Sequence, residues 1–479
     1  MATEKRMMKQ LLEQLRNGKT NAGIEGAGAA GGRTAPARLV EWGLAVEMEG
    51  NLCLAAGVSA EVVSLFAGLI DLFDPVLKPV ALKGCPINFC TGLVRLPVPR
   101  GGESGAAGMT IPAGGQGRTP AMAAISCLGE MAERLSLFSK GAGDKRILSQ
   151  SGEREDLPLG PVLGFSARQE LSLAESHPAL RKAWRNGRID WNALSDRRLE
   201  VTNLCDGRQA QVPAFGVLLG EREGLAGSVP GITSSSGAAV WSTREEAARR
   251  ALRELAERDA FARAWYNRLG ITRVYLDDWD RILPEKLAHY LISRTRRTGL
   301  LHVATDLDVH VLAAVSYQKN GFGGCLGVAA APVAADAAFS AVAEMLQAEM
   351  SLELSARAYE TDRRHGDAKM PRELAVAGTL RLSDALGLED LPRADQAALE
   401  RVFEADDLAR SCHQRNIDLW LFDATTADLG VPCVKMLSPH LCSWQPRFGK
   451  ARLFTGTDGS GVGDTEALET EFEKRPFPF

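Results

Sequence analysis

Pro120-Ala-Met-Ala-Ala-Ile-Ser-Cys-Leu-Gly-Glu-Met-Ala-Glu-Arg-Leu-Ser-Leu-Phe-Ser139 is apolar almost all round, and its charges are confined to Glu130, Glu133 and Arg134. Thr119-Pro120 marks a helix start. A helix apolar on every face is buried, and buried acids need a partner or a metal. The chain repeats the small pattern at the heart of this stretch. Ser126-x-x-x-Glu130-x-x-Glu133-Arg134 is followed by Arg250-x-x-x-Glu254-x-x-Glu257-Arg258 and by Ser340-x-x-x-Glu344-x-x-Gln347. At about 100° per residue, offsets 0, 4 and 7 fall within roughly 60° of one another, so each helix aims its set in one direction. Three such helices, if they converge, hold several carboxylates around one point, which is unstable without cations between them. Hard divalent ions such as Mg²⁺ prefer oxygen ligands and often bring nucleotide phosphates with them. The competing reading is a solvated helix face with local salt bridges. The charge-dense second copy, Arg244 to Arg263, fits that reading best. Glu344, in the apolar company of Ala334 to Leu346, fits it least.

Around these helices the pattern alternates between strands and Ala-rich helices from about Pro79 onward. Gly92–Val98, Val212–Leu219, His302–Tyr317, Ile417–Asp423 and Val431–Met436 read as strands. Gly101–Gly117 reads as a Gly-rich loop, and its Gly114-Gly-Gln-Gly117 end could cradle phosphate through backbone N–H groups. Ser234-Ser-Ser-Gly237 reads as a tight turn, and Thr243 as the N-cap of the second acidic helix. Ahead of Pro79, residues 1–78 form a small helical and hairpin extension. In it Met1–Lys19 is amphipathic, residues 20–37 are a flexible joint, Glu49-Gly-Asn51 is a hairpin turn, and Ala60–Phe73 has helical periodicity. Residues 360–412 read as a charged helical elaboration.

The 479 residues carry a net charge of −4, 45% hydrophobic and 24% charged residues, ordinary for a globular protein. Nothing suggests an electrostatic footprint for nucleic acid, and no apolar stretch is long enough to span a bilayer. The N-terminus lacks the features of a secretory signal. The nine cysteines contain no C-x-x-C pair, so cytoplasmic free thiols are expected. No Walker A loop, no H-E-x-x-H and no G-x-S-x-G elbow occurs.

In order along the chain, the motifs resemble those of the YcaO family. Gly114-Gly-Gln-Gly-Arg-Thr-Pro120 followed by Ser126–Arg134 is similar to its first ATP/Mg²⁺ block. Ile189-Asp-Trp-Asn192 and Val212-Pro-Ala214 resemble middle strands. Ser235-Ser-Gly-Ala-Ala-Val-Trp-Ser-Thr-Arg-Glu-Glu-Ala247, running into Glu254-Leu-Ala-Glu-Arg-Asp-Ala-Phe261, resembles the family's most recognisable stretch. Glu344-Met-Leu-Gln347 resembles the third block, and Thr425–Pro439 with Arg447-Phe-Gly449 the C-terminal region. Gln116 stands where the family often has Lys, Ser236 replaces an Asn, and Arg250 replaces a small polar residue. A phosphate-contact role for Gln116 or Ser236 is therefore not expected.

The resemblance implies an α+β YcaO-type ATP-binding fold over residues 79–479, with mixed or antiparallel sheets packed by long Ala-rich helices. It implies ATP and Mg²⁺ as cofactors and activation of a peptide backbone amide by phosphorylation. In the azoline-forming branch, a Cys, Ser or Thr of a ribosomally made precursor peptide becomes a thiazoline or oxazoline. Glu130, Glu133, Glu254 and Glu257 would then be metal ligands or their support. Ser126, Arg134, Ser235, Arg258, Glu344 and Gln347 would contact nucleotide or order the site, with charge balance for nearby Glu as the other reading of Arg134 and Arg258. Pro476-Phe-Pro-Phe479 resembles a shortened form of the branch's Pro-rich tail, which makes Pro478 and Phe479 the catalytic candidates. The expected partners are the precursor peptide, a separate leader-peptide-binding protein, a flavin-dependent dehydrogenase and a second copy of the chain. Thioamide formation and a non-catalytic ATP-binding subunit are the competing functions.

Overall fold

The computed structural model describes residues 11–13, 35–48, 51–96, 109–148, 155–222, 232–364, 369–456, 460–475 and 477. The fold is α+β, with antiparallel sheets covered by long helices. The chain divides into two compact units. One comprises Met1–Phe138, Ala239–Ala247 and Ala424–Val434, the other Ser139–Ala238, Ala248–Asp423 and Lys435–Phe479.

In the first unit, β1 (Ala45–Met48) and β2 (Asn51–Leu54) form an antiparallel hairpin with Met48 opposite Asn51, as the Glu49-Gly-Asn51 signal predicts. The expected helix over Ala60–Phe73 is two helices, Ala60–Leu65 and Ala67–Phe73, separated at Phe66. A meander follows: β3 (Val76–Ala81), β4 (Asn88–Arg95) and β5 (Thr110–Gly117). Helix α1 (Pro120–Leu137) lies on it, started by Thr119, whose side chain accepts from the Met122 N–H. The expected Gly-rich loop is corrected here. Gly114–Gly117 is the end of strand β5, paired residue by residue with Asn88–Thr91 of β4. Gly115 and Gly117 sit where strand and helix come close. A Cβ at Gly115 would stand 2.2 Å from the Ala123 carbonyl oxygen and 2.3 Å from the Cys127 nitrogen. Strand and helix backbones therefore touch with no side chain between them.

The second unit repeats this device. Strands β8 (Ile271–Val274), β9 (Arg297–Val303), β10 (His310–Tyr317) and β11 (Cys325–Ala331) form an antiparallel meander, preceded in the chain by the hairpin β6 (Arg198–Asn203) and β7 (Gln209–Pro213). β10 is buried along almost its whole length, as expected of a strand covered on both faces. Helix α3 (Ala334–Arg363) packs on it through Ala337, Ala338, Ala341, Val342 and Met345. A Cβ at Gly327 would meet the Ala341 carbonyl oxygen at 2.1 Å and the Met345 nitrogen at 2.4 Å. The expected strand over Val212–Leu219 ends at Pro213 and turns into a short 3₁₀ segment. Strand β12 (Trp420–Asp423) pairs with β6.

Helix α2 (Arg244–Asn267) runs through the second unit from Ala248 onward. Its C-terminal half carries Phe261, Trp265 and Tyr266, which pack with Phe448, Phe472 and Phe477. Helix α4 (Thr465–Glu473), capped by Asp464, docks through Glu469, which accepts from Ser166 Oγ at 2.5 Å. A buried ion cluster completes this region. Asp259 is fully buried and takes Arg452 and Arg263, which both also reach Asp306. The carboxyl of Asp306 is held below its usual range, because these guanidinium contacts outweigh the opposing effect of burial.

Candidate functional site

The acids of α1 occupy a partly open face. Met122 and Ser126 are exposed, and Glu130, Glu133 and Arg134 are half-buried, so the reading of α1 as buried on all faces is corrected. The meander covers the Ala/Cys/Leu side of the helix and leaves this strip accessible. Arg134 Nη2 pairs with Glu130 Oε1 at 2.5 Å, and its Nη1 donates to the Pro112 carbonyl at 2.6 Å. Charge balance for a neighbouring Glu is therefore part of what Arg134 does.

The glycine contacts also correct the register of the repeat. Gly115 abuts Ala123 and Cys127, and Gly327 abuts Ala341 and Met345. Counted from those contacts, Glu344 stands level with Ser126, not with Glu130.

In the second unit α2 and α3 bring their acids to one place. Glu254 lies one turn before Arg258, whose Nη2 donates to Glu254 Oε1 at 3.0 Å. Arg258 Nη1 is 3.3 Å from Glu257 Oε1. Glu254 Oε2 accepts the backbone N–H of Gly237 at 3.2 Å. Thus the Ser234–Gly237 turn, which also holds Ser235, grips the acid helix through its last residue. Gly237 has φ +78, as the tight turn requires, and the Ala238 N–H donates to the Ser235 carbonyl at 2.9 Å. The turn is itself braced by Lys435, whose buried Nζ donates to the carbonyls of Val217 and Ser234 at 2.9 and 2.6 Å.

Electrostatically the cluster is a carboxylate excess. Burial pushes the Glu257 carboxyl well above its ordinary range; Arg258 pulls the other way, while Glu344 and Glu254 add to the rise. Burial disfavours the charged form of Arg258, yet Glu257, Glu254 and Glu344 together keep its pKa above the ordinary value. On α3, Gln347 Oε1 is buried without a hydrogen-bond partner among the described residues.

Among the described residues no three His, Cys, Asp or Glu side chains already form a metal-binding group; Arg258 takes the oxygens of Glu254 and Glu257. The donor chemistry nevertheless fits a hard cation. Two carboxylates pair with one guanidinium and a third, Glu344, acts on it through its charge; Glu257 is driven toward its neutral form, and the Gln347 amide oxygen is left orphaned, a set of oxygen donors suited to Mg²⁺. Pro478 and Phe479 lie outside the described residues. Phe477 is described and is buried among Phe261, Trp265, Tyr266 and Trp444.

Sequence reasoning missed Trp444, which lies over Arg258, Asp259, which follows Arg258 and bonds Cys442 and Arg452, and Lys435, which braces the Ser234–Gly237 turn. Asp259 stands inside the quoted Glu-Leu-Ala-Glu-Arg-Asp block and could have been singled out there. Trp444 and Lys435 are single residues with no spacing signal.

Residues 114–442 match the family described as YcaO cyclodehydratase, ATP- and Mg²⁺-binding. No curated protein matches the chain. Among solved structures, a heterocyclase in complex with substrate and cofactor superposes with a TM-score of 0.63 at 21% identity, covering 84% of this chain and 54% of that one. The chain thus spans about half the length of that heterocyclase. The E. coli microcin synthetase McbBCD complex gives a TM-score of 0.55 at 15% identity, with 85% and 96% coverage. The YcaO protein of Methanopyrus kandleri bound with AMPPCP and Mg²⁺ gives 0.50 at 18% identity, with 75% and 84% coverage. Among the described residues no helix is long and apolar enough to cross a membrane.

Proposed function

Since the chain belongs to the YcaO family, whose members bind ATP and Mg²⁺, we propose that it is a cyclodehydratase acting on a peptide backbone amide. A Cys, Ser or Thr side chain of the substrate adds to the preceding carbonyl. The resulting oxygen takes the γ-phosphoryl group of ATP, and its departure as phosphate leaves a thiazoline or oxazoline together with ADP. Such a transfer is catalysed by positioning and charge neutralisation. Bound Mg²⁺ supplies the offset to the triphosphate's charge. In the second unit Glu254 and Glu257 are the proposed Mg²⁺ ligands; in the first, taken by itself, Glu130 and Glu133 are. Glu344 and Gln347 contact the nucleotide or order the ligands, Arg258 keeps Glu254 and Glu257 together, and Ser126, Ser235 and Arg134 line the nucleotide.

The observation that carries this reading is the carboxylate excess of Glu254, Glu257 and Glu344 around Arg258. Such a cluster is costly to keep without a cation. The substrate is proposed to be a ribosomally made peptide, presented by a separate leader-binding protein. A flavin-dependent dehydrogenase and a second copy of the chain are further proposed partners. The Pro476–Phe479 tail is proposed to serve the reaction, with Pro478 and Phe479 as the catalytic candidates.

The test is calorimetric ATP binding with and without Mg²⁺, on wild type and on Glu130→Ala/Glu257→Ala. Mg²⁺-dependent binding that the double variant loses is expected. Binding that survives both substitutions would make the acid helices structural and end the proposal. With a precursor peptide in hand, loss of water from the product supports the azoline reading, and exchange of oxygen for sulfur would replace it with thioamide formation.

A further inference from the structure

Arg258 is covered on its face as well as bonded at its edge. Its guanidinium carbon lies 3.0 Å from the ring centroid of Trp444, while its nitrogens reach Glu254 at 3.0 Å and Glu257 at 3.3 Å. Two carboxylates fix where a guanidinium edge points, but not the tilt of its plane. A ring stacked on that plane removes the remaining freedom, and the ring's negative face favours the cation.

Trp444 is itself held from two directions. Asp259, the residue after Arg258, accepts the Cys442 backbone N–H at 2.8 Å. It also takes Arg452 Nη2 at 2.7 Å, which ties down the chain beyond Trp444. On the other side the Phe477 ring lies 5.9 Å away at 32°. Helix α2 thus anchors the Cys442–Arg452 segment with one residue and is covered by that segment at the residue before.

We propose that Trp444 is a positioning residue: by stacking on Arg258 it holds the guanidinium in the plane that joins Glu254 to Glu257, and so sets the geometry of the cluster that receives Mg²⁺ and the nucleotide. The proposal rests on reading this cluster as the nucleotide site. It adds a residue whose contact with the cluster is its ring over the Arg258 guanidinium.

The test uses the full chain and AMPPCP with Mg²⁺, followed by calorimetry. Trp444→Leu is expected to weaken binding about thirtyfold, the fold-change that corresponds to a lost desolvated cation–π contact. Trp444→Phe, which keeps an aromatic face, is expected to lose less than about threefold on the same scale. In an Arg258→Gln background, Trp444→Leu is expected to cost nothing more, because the residue it acts through is gone. Site-specific fluorinated tryptophans at 444 keep the ring's shape while draining its negative face, so they remain informative should Trp444→Leu fail to fold. Affinity should fall stepwise with fluorine count. Wild-type affinity in Trp444→Leu, a loss of undiminished size in the Arg258→Gln background, or a flat fluorination series would each overturn the proposal. A wild-type chain that binds no AMPPCP with Mg²⁺ would instead overturn the nucleotide-site reading, and the proposal with it.

Discussion

The backbone N–H of Gly237 donates to Glu254 Oε2 at 3.2 Å, so a turn residue and a helix residue 17 positions apart share one hydrogen bond at the acid cluster. The turn can make it only because residue 237 is glycine. Its φ is +78, and a Cβ there would lie 2.6 Å from the Met436 carbonyl oxygen. Gly237→Ala is expected to destabilise the protein by about 1–3 kcal/mol, through strain and overpacking together. It should also weaken Mg²⁺-dependent nucleotide binding. Chemical denaturation and calorimetry read the two effects, and unchanged affinity would separate the turn from the site.

Glu257 makes stability depend on pH. Burial raises its carboxyl well above the ordinary range, with Glu344 and Glu254 adding to the rise. Between the ordinary glutamate value, about 4.3, and that raised value, the folded chain holds a proton that the unfolded chain has lost. This contribution is therefore fully present below the ordinary value and disappears as pH rises through the raised one. Glu257→Gln is expected to flatten the slope and to raise the Tm at neutral pH, with Mg²⁺-dependent nucleotide binding lost. A variant melting at or below wild type at neutral pH would show that the carboxyl is not under this pressure.

Mg²⁺ with nucleotide should release a proton. A cation beside Glu257 favours its ionised form, so binding at a pH between the ordinary glutamate value and the raised one displaces the proton that the folded chain holds there. Calorimetry in buffers of different ionisation enthalpy measures the release, which Glu257→Gln is expected to abolish. Equal heats in every buffer for the wild type would remove this reading of the cluster.

Gly115→Ala and Gly327→Ala should each be strongly destabilising, because the new Cβ would stand 2.2 and 2.1 Å from helix carbonyl oxygens. Overpacking against backbone typically costs about 1–3 kcal/mol and occasionally more. Gly378 provides the control. It lies in the helix Arg372–Thr379 with nothing within 4 Å of an added methyl, so Gly378→Ala should stabilise by up to ~1 kcal/mol. Thermal melts of the three variants give the comparison.

His302 should contribute acid sensitivity. Burial, with His310 beside it, lowers its pKa to about 4, against about 6.5 when unfolded. Between those values the unfolded chain binds the proton first, so stability falls as pH drops from the upper to the lower. A loss on the order of 3 kcal/mol is expected over that window. His302→Gln should shift the acid unfolding midpoint downward, as read by circular dichroism.

The α+β architecture and the three acid helices are legible in the sequence because each rests on periodicity, which the chain shows over many residues. Thr243 caps its helix as its position predicts, accepting from the Glu246 N–H at 3.2 Å. Gly114–Gly117 misleads for a physical reason: glycine signals a loop when only local conformation is weighed, whereas here it is selected by what lies across the sheet. The same limit applies to the site. Glu254, Glu257 and Arg258 are readable as one helix face, but Trp444 reaches that face from 186 residues further on, and no local pattern encodes a stack formed by tertiary folding. Asp259 is legible as an acid but not as an anchor, since its partners Cys442 and Arg452 are equally remote.

Gly327 rests directly on the turn of α3 that bears Glu344. The Ala341 carbonyl and the Met345 nitrogen lie nearest at that seam, with the Glu344 Cβ itself next to them, so Glu344 takes its address from the sheet's own peptide units. The placement of this acid therefore hangs on the absence of a side chain at a single position, 327.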